Sequence, residues 1–173
     1  MAADTSAPRV EAIELPASGT RLLPLLVYRQ VVPLDGDTAS TFETLFARHG
    51  WGGGWRNGIF GYDHFHATTH EVLGIARGRV RVRFGGDKGI EAEVSAGDVV
   101  VVPAGVAHRN LKASRDLLVV GAYPDGRNPD RNTGTPDQSP LAAAEIRRVP
   151  VPSADPVYGQ DGPLRERWRA AGA

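Results

Sequence analysis

From Phe60 to Tyr123 the chain is a succession of short apolar or alternating runs divided by glycine and aspartate. That rhythm restricts the fold more than any other feature. "RVRVRF" (Arg79–Phe84) alternates strictly, which puts Val80, Val82 and Phe84 on one face and Arg79, Arg81 and Arg83 on the other, solvated face. "GGDKG" has the chemistry of a hairpin turn, and "IEAEV" alternates again. "DVVVVP" and "DLLVVGAY" are continuous apolar runs, as expected of strands buried in a sandwich. Such strands with few helical stretches predict an all-β sandwich or barrel.

The flanks carry weaker signals. Residues 1–20 are polar and rich in alanine and proline, and are expected to be loosely ordered; residues 21–173 then form one domain. "RLLPLLVYRQVV" (Arg21–Val32) reads as extended, with Pro24 marking an edge strand or a break. Thr38–Gly50 predicts a short helix with Phe42, Leu45 and Phe46 on one face, a Ser40/Glu43 capping box and a stop at Gly50. "GWGGGWRNG" reads as a tight loop with anchoring aromatics; the sharper alternative puts Trp51, Trp55 or Asn57 beside a pocket. "PDGRNPDRNTGTPDQSP" predicts a long polar surface loop or a lid. "GPLRERWRAAGA" predicts a short terminal helix with Leu164 and Trp168 on one face.

Composition excludes several function classes. The 20 basic and 20 acidic residues cancel and no Lys/Arg block stands out, so no nucleic-acid partner is expected. The absence of cysteine removes disulfides, thiolate metal sites and a cysteine nucleophile. No run approaches the roughly 18 apolar residues of a membrane span, and the start lacks a basic region followed by an apolar one. A cytoplasmic location without membrane partners is the expectation.

"HFHATTHE" (His64–Glu71) holds three of the five histidines beside a carboxylate. In a strand, His64 and His66 point to the same face, where two imidazoles can share one ion. His108, after the apolar strand and the turn of "VPAGVAHRN", is a candidate for a third imidazole. Nitrogen and oxygen donors without sulfur suit a divalent Mn, Fe, Co, Ni or Zn ion.

"GIFGYDHFHATTHEVLGIARG" (58–78) resembles the first motif of the cupin superfamily, with Gly58, His64, His66, Glu71 and Gly78 in register. "GDVVVVPAGVAHRN" (97–110) resembles the second, with Gly97, Pro103, Gly105 and His108 in register. Lys112 stands where that motif carries asparagine, and Asn110 sits two positions early. The resemblance implies a cupin-type double-stranded β-helix, a jelly-roll barrel, here with a short N-terminal and a short C-terminal helix. It implies a divalent metal held by His64, His66, Glu71 and His108, a small-molecule substrate and a homodimer. It allows dioxygenase, decarboxylase, isomerase or lyase chemistry, or a non-catalytic binding module, and it assigns no catalytic residue.

His70 competes with Glu71, because neighbours in a strand face opposite ways. An inward Glu71 brings Leu73 and Ile75 inward with it; an inward His70 brings Val72, Gly74 and Ala76. The first suits a core better, which leaves His70 as the alternate ligand or a supporting group outside the ligand set. Asp98 is expected to make a turn hydrogen bond, Asp63 to be a solvated turn residue, and Gly105 to permit the turn before His108.

Overall fold

A computed structural model of the chain describes residues 9–16 and 22–172, with Gln138 by its backbone alone. In chain order the elements are β1 (Val10–Ile13), β2 (Leu25–Tyr28), α1 (Thr38–Arg48), β3 (Trp51–Asn57), β4 (His64–Phe65), β5 (Glu71–Arg77) and β6 (Arg79–Phe84). There follow β7 (Ile90–Ser95), β8 (Val99–Val102), β9 (His108–Ala113), β10 (Leu118–Pro124), β11 (Asn132–Thr133), a 3-10 turn, α2 (Pro140–Arg148) and α3 (Pro163–Ala170). The strands form two antiparallel sheets, ordered β1-β2-β8-β5-β10-β3 and β11-β4-β9-β6-β7, which make the expected jelly roll. Among the described residues no helix is long and apolar enough to cross a membrane.

The period-2 rule explains how one sequence run serves two cores. In β8, Val100 and Val102 join Leu25, Val27, Leu73 and Ile75 between the sheets, against Val80, Val82 and Phe84 of β6. Val99 and Val101 point the other way, with Leu26, Tyr28 and Val72. There they meet Phe42 and Phe46 of α1 and Leu164 and Trp168 of α3. The first sheet is thus covered on both faces, which is why its strands read as unbroken apolar runs. The second keeps Arg79 and Arg81 exposed. Arg83 departs from the solvated face expected of it: its Nη2 pairs with Asp63 at 2.9 Å and with Asp87 at 3.0 Å. Asp63 is therefore an ion-pair partner and not a solvated turn residue.

Other differences have identifiable causes. Asp37, not Ser40, caps α1: its carboxylate accepts from the Ser40 N–H at 3.1 Å and the Ser40 hydroxyl at 2.6 Å. Glu43 is freed for Arg56, 2.5 Å away. The glycine-rich stretch 51–57 is strand β3 rather than a loop, because β10 offers it an antiparallel ladder from Trp51↔Pro124 to Asn57↔Val119, with one register shift between Gly121 and Tyr123. Backbone pairing outweighs the weak intrinsic propensity of glycine here. Residues 10–13, inside the segment expected to be loose, pair with β2 from Val10↔Tyr28 to Ile13↔Leu25. Residues 1–8 and 17–20 of that segment lie outside the described residues. Pro24 precedes β2, which is an inner strand, so the break and not the edge is the correct alternative.

Candidate metal centre

Each histidine reaches the centre for a local backbone reason. β4 is two residues long and pairs His64 directly with His108 at the start of β9, which brings the rings to 4.0 Å. Phe65, between the two motif histidines, turns outward to Ala104, Ala142 and Ile146 under α2. His66 thus returns to the His64 face, 6.0 Å from its ring and 5.9 Å from that of His108. Gly105 has φ +86° and donates its N–H to the His66 carbonyl at 2.7 Å, locking the second motif onto the first. Asp98 makes the expected turn bonds, accepting from the N–H groups of Gln30 and Ser95 at 2.9 Å.

One ring nitrogen from each of His64, His66 and His108 comes within 4.8 Å of the others. Glu71 closes a fourth side, with Oε2 3.4 Å from His66 Nε2 and Oε1 3.2 Å from His108 Nε2. All four side chains are buried. The Nδ1 atoms all turn away and donate to backbone carbonyls: His64 to Tyr62 at 3.2 Å, His108 to Val106 at 3.1 Å, and His66 to Asp130. A carbonyl only accepts, so Nδ1 carries the proton and a neutral ring presents its Nε2 lone pair to the centre. Lone pairs facing a buried carboxylate repel unless a positive species lies between them. The donor set therefore calls for a cation, and three imidazoles with one carboxylate fit a divalent metal ion.

The electrostatics of the metal-free site agree. Burial, with the charge of His108 second, pushes the His64 pKa down to about 4. Burial also pulls on His66, but its bond to Glu71, the Glu71 charge and the Asp130 carbonyl outweigh it, so its pKa is raised. For Glu71 burial pushes up, and the His108 and His66 rings facing its oxygens more than offset it, holding the carboxyl below the usual range. Without metal, the Glu71 carboxylate thus favours a proton on His66 where the cation would sit.

The Glu71 register is the one present. β5 pairs Glu71 with Val102 and Leu73 with Val100, and Leu73 and Ile75 enter the inter-sheet core as expected. His70 faces away from the centre. Its Nδ1 accepts from the Ala104 N–H at 2.9 Å, its Nε2 donates to the Pro150 carbonyl at 3.1 Å, and its ring lies 4.5 Å from that of Trp168. Burial pushes its pKa down to about 4. His70 is a core histidine whose ring is held by Ala104, Pro150 and Trp168 on the side away from the centre.

Several groups at the centre were not visible in the sequence. Tyr123 lies against Glu71, and its hydroxyl accepts from Trp55 Nε1 at 2.8 Å. Burial first, then the Glu71 charge, raises its pKa. Gly121 makes room for this pair, since a Cβ there would lie 2.1 Å from the Trp55 indole. Residues 129–132 are not a free surface loop. The Asp130 carboxylate accepts from the N–H groups of Ala67 and Thr68 at 3.0 Å and from the Thr68 hydroxyl at 2.7 Å. β11 pairs with β4 as well. The result is a cavity of about 460 Å³ with the histidines and Glu71 at its floor. Trp55 and Asn57 border it, while Trp51 instead donates to the Ala154 carbonyl at 3.0 Å.

Residues 56–119 match the family model described as "Cupin domain". The chain is 41% identical over 145 residues to the uncharacterised protein YjlB of Bacillus subtilis (strain 168), spanning 84% of this chain and 86% of that one. Among solved structures, it is similar to an acireductone dioxygenase from Bacillus anthracis with a cadmium ion in its active centre, at 17% identity and a TM-score of 0.42. That match covers 61% of this chain and 82% of the other. A Bacillus subtilis oxalate decarboxylase with Mn(II) centres matches 64% of this chain but only 22% of its own, at 16% identity and a TM-score of 0.34. With the domain match lying across both histidine motifs, and with a relative of this identity along most of its length, the chain belongs to the cupin family.

Proposed function

We propose that the protein is a divalent-metal-dependent enzyme acting on a small organic molecule bound in the barrel. The observation that carries this reading is the donor geometry: three Nε2 lone pairs and a buried carboxylate converge on one point. His64, His66, Glu71 and His108 would hold the ion. Four protein ligands leave room for substrate oxygen in a five- or six-coordinate site, and the ion would supply Lewis-acid polarisation there. The three backbone carbonyls fix each ring in its tautomer, so little rearrangement accompanies binding. The Tyr123 phenol, kept protonated by its raised pKa, holds a proton at the cavity wall beside Glu71. Trp55, Ile59 and Leu73 keep that part of the cavity poor in water.

The expected chemistry is oxygen-dependent cleavage, or decarboxylation, isomerisation or elimination assisted by proton transfer. Tyr123 gives the second group a proton donor. The test is turnover of a panel of small oxygenated acids and ketones by protein loaded separately with Fe, Mn, Co, Ni and Zn. Oxygen uptake reports the first group, and substrate conversion by NMR without oxygen uptake reports the second. Conversion that follows the metal and is lost in Glu71→Gln supports the reading. A metal-replete protein that binds compounds of the panel and converts none is a binding module instead.

A further inference from the structure

Arg131 is the one cationic side chain lining the cavity among the described residues, and Glu71 the one acidic one. Its guanidinium carbon sits 5.2 Å over the Phe60 ring, and among the described residues no carboxylate lies within ion-pairing distance of it. Phe60 and Tyr62 stack at 5.1 Å, both exposed, so the guanidinium stands on an aromatic shelf at the mouth. Its backbone is anchored to the metal motif: Asp130 binds Ala67, Thr68 and the His66 ring, and Asn132 pairs with Phe65. The Arg131 backbone thus has a fixed place relative to the histidines, from which its exposed side chain reaches Phe60. Phe60 is 5.1 Å from the His64 ring and 5.2 Å from the guanidinium carbon, so that carbon is at most about 10 Å from the His64 ring. Between them the wall is mainly Trp55, Ile59, Phe60 and Leu73.

We infer that the cavity takes a small organic acid with an apolar, planar body: its carboxylate pairs with Arg131 at the mouth, and its far end carries oxygen donors to the metal. Charge supports this. A divalent ion with neutral imidazoles and one carboxylate leaves one positive charge at the floor, Arg131 adds another at the mouth, and the Asp130 carboxylate is spent on backbone N–H groups. A guanidinium meets a carboxylate in a forked geometry that an ammonium or an amide partner does not reproduce. A neutral ligand would leave the mouth charge without a partner. The inference rests on the metal-dependent reading above, and the experiment separates the two.

The test is calorimetric titration of metal-replete protein, its metal content measured on the same samples. The probes are phenylpropionate, phenylpyruvate and 3-(3,4-dihydroxyphenyl)propionate, each beside its primary amide. The expected result is that at least one acid binds about tenfold or more tightly than its amide. That preference should fall towards parity in Arg131→Gln and be partly kept in Arg131→Lys, with metal content unchanged in both. Equal binding of acid and amide, a preference that survives Arg131→Gln, or no binding of any pair by metal-replete protein overturns the inference and leaves the metal centre standing. Protein that takes up no metal overturns both, and the metal assay identifies that outcome.

Discussion

Replacing His70 by leucine separates the role of this residue from that of its neighbour Glu71. The leucine fills much of the ring's volume but leaves the Ala104 N–H and the Pro150 carbonyl without partners in a buried place. Each of the two orphans costs about 1–3 kcal/mol, so the expected destabilisation at pH 7 is about 2–6 kcal/mol. The pH dependence gives a second signature. The His70 pKa is about 4 in the folded protein, against about 6.5 for an unperturbed histidine. Between those values the unfolded chain holds the extra proton, so stability falls as pH drops through the window from 6.5 to 4. The loss is about 3 kcal/mol, complete below pH 4 and absent above 6.5. His70→Leu lacks this component. The stability gap between wild type and variant should therefore shrink by about 3 kcal/mol from pH 7 to pH 4. His64 titrates in both proteins and cancels. Urea unfolding of chelator-treated protein across that range reads the gap, with His70→Gln as a milder replacement. Metal binding at pH 7 should be unchanged in any variant that folds. A folded variant that loses metal, or a gap indifferent to pH, would refute the reasoning.

Three further outcomes follow from the same contacts. Glu71→Gln keeps the shape and removes the charge between two histidine nitrogens, so metal affinity should fall by more than the roughly 10–100-fold typical of outer supporting groups, measured by chelator competition. Gly121→Ala forces the Trp55 indole aside and breaks its bond to Tyr123, which should cost about 1–3 kcal/mol in urea unfolding and shift the tryptophan emission. Asp155 is fully buried and accepts from the Tyr28 hydroxyl at 2.6 Å and from the N–H groups of Val157, Tyr158 and Leu164, so Asp155→Ala should cost at least about 3 kcal/mol.

The jelly roll was legible because its strands announce themselves by alternation, and because Gly58 to Gly78 and Gly97 to His108 keep fixed spacings. The Glu71 side of the centre was legible for the same reason: a strand has two faces, and only one of them carries Leu73 and Ile75. What escaped the sequence depends on long-range pairing. Nothing local in "GWGGGWRNG" predicts a strand; its extended form comes from β10, more than 60 residues later. Asp130 looks like any turn aspartate until the fold brings it to Ala67 and His66, and the polar stretch around it then becomes a strap over the metal motif. Tyr123 ends an apolar run, and only Gly121 beside it hints that a bulky neighbour needs space.

Elemental analysis of purified protein beside the His64→Ala and His70→Leu variants tests the central claim most directly. One equivalent of a divalent transition metal in wild type and His70→Leu, lost in His64→Ala, is the predicted pattern. Wild-type protein that stays free of metal after exposure to Fe, Mn, Co, Ni and Zn in turn, or that keeps its metal when His64 is removed, would contradict it.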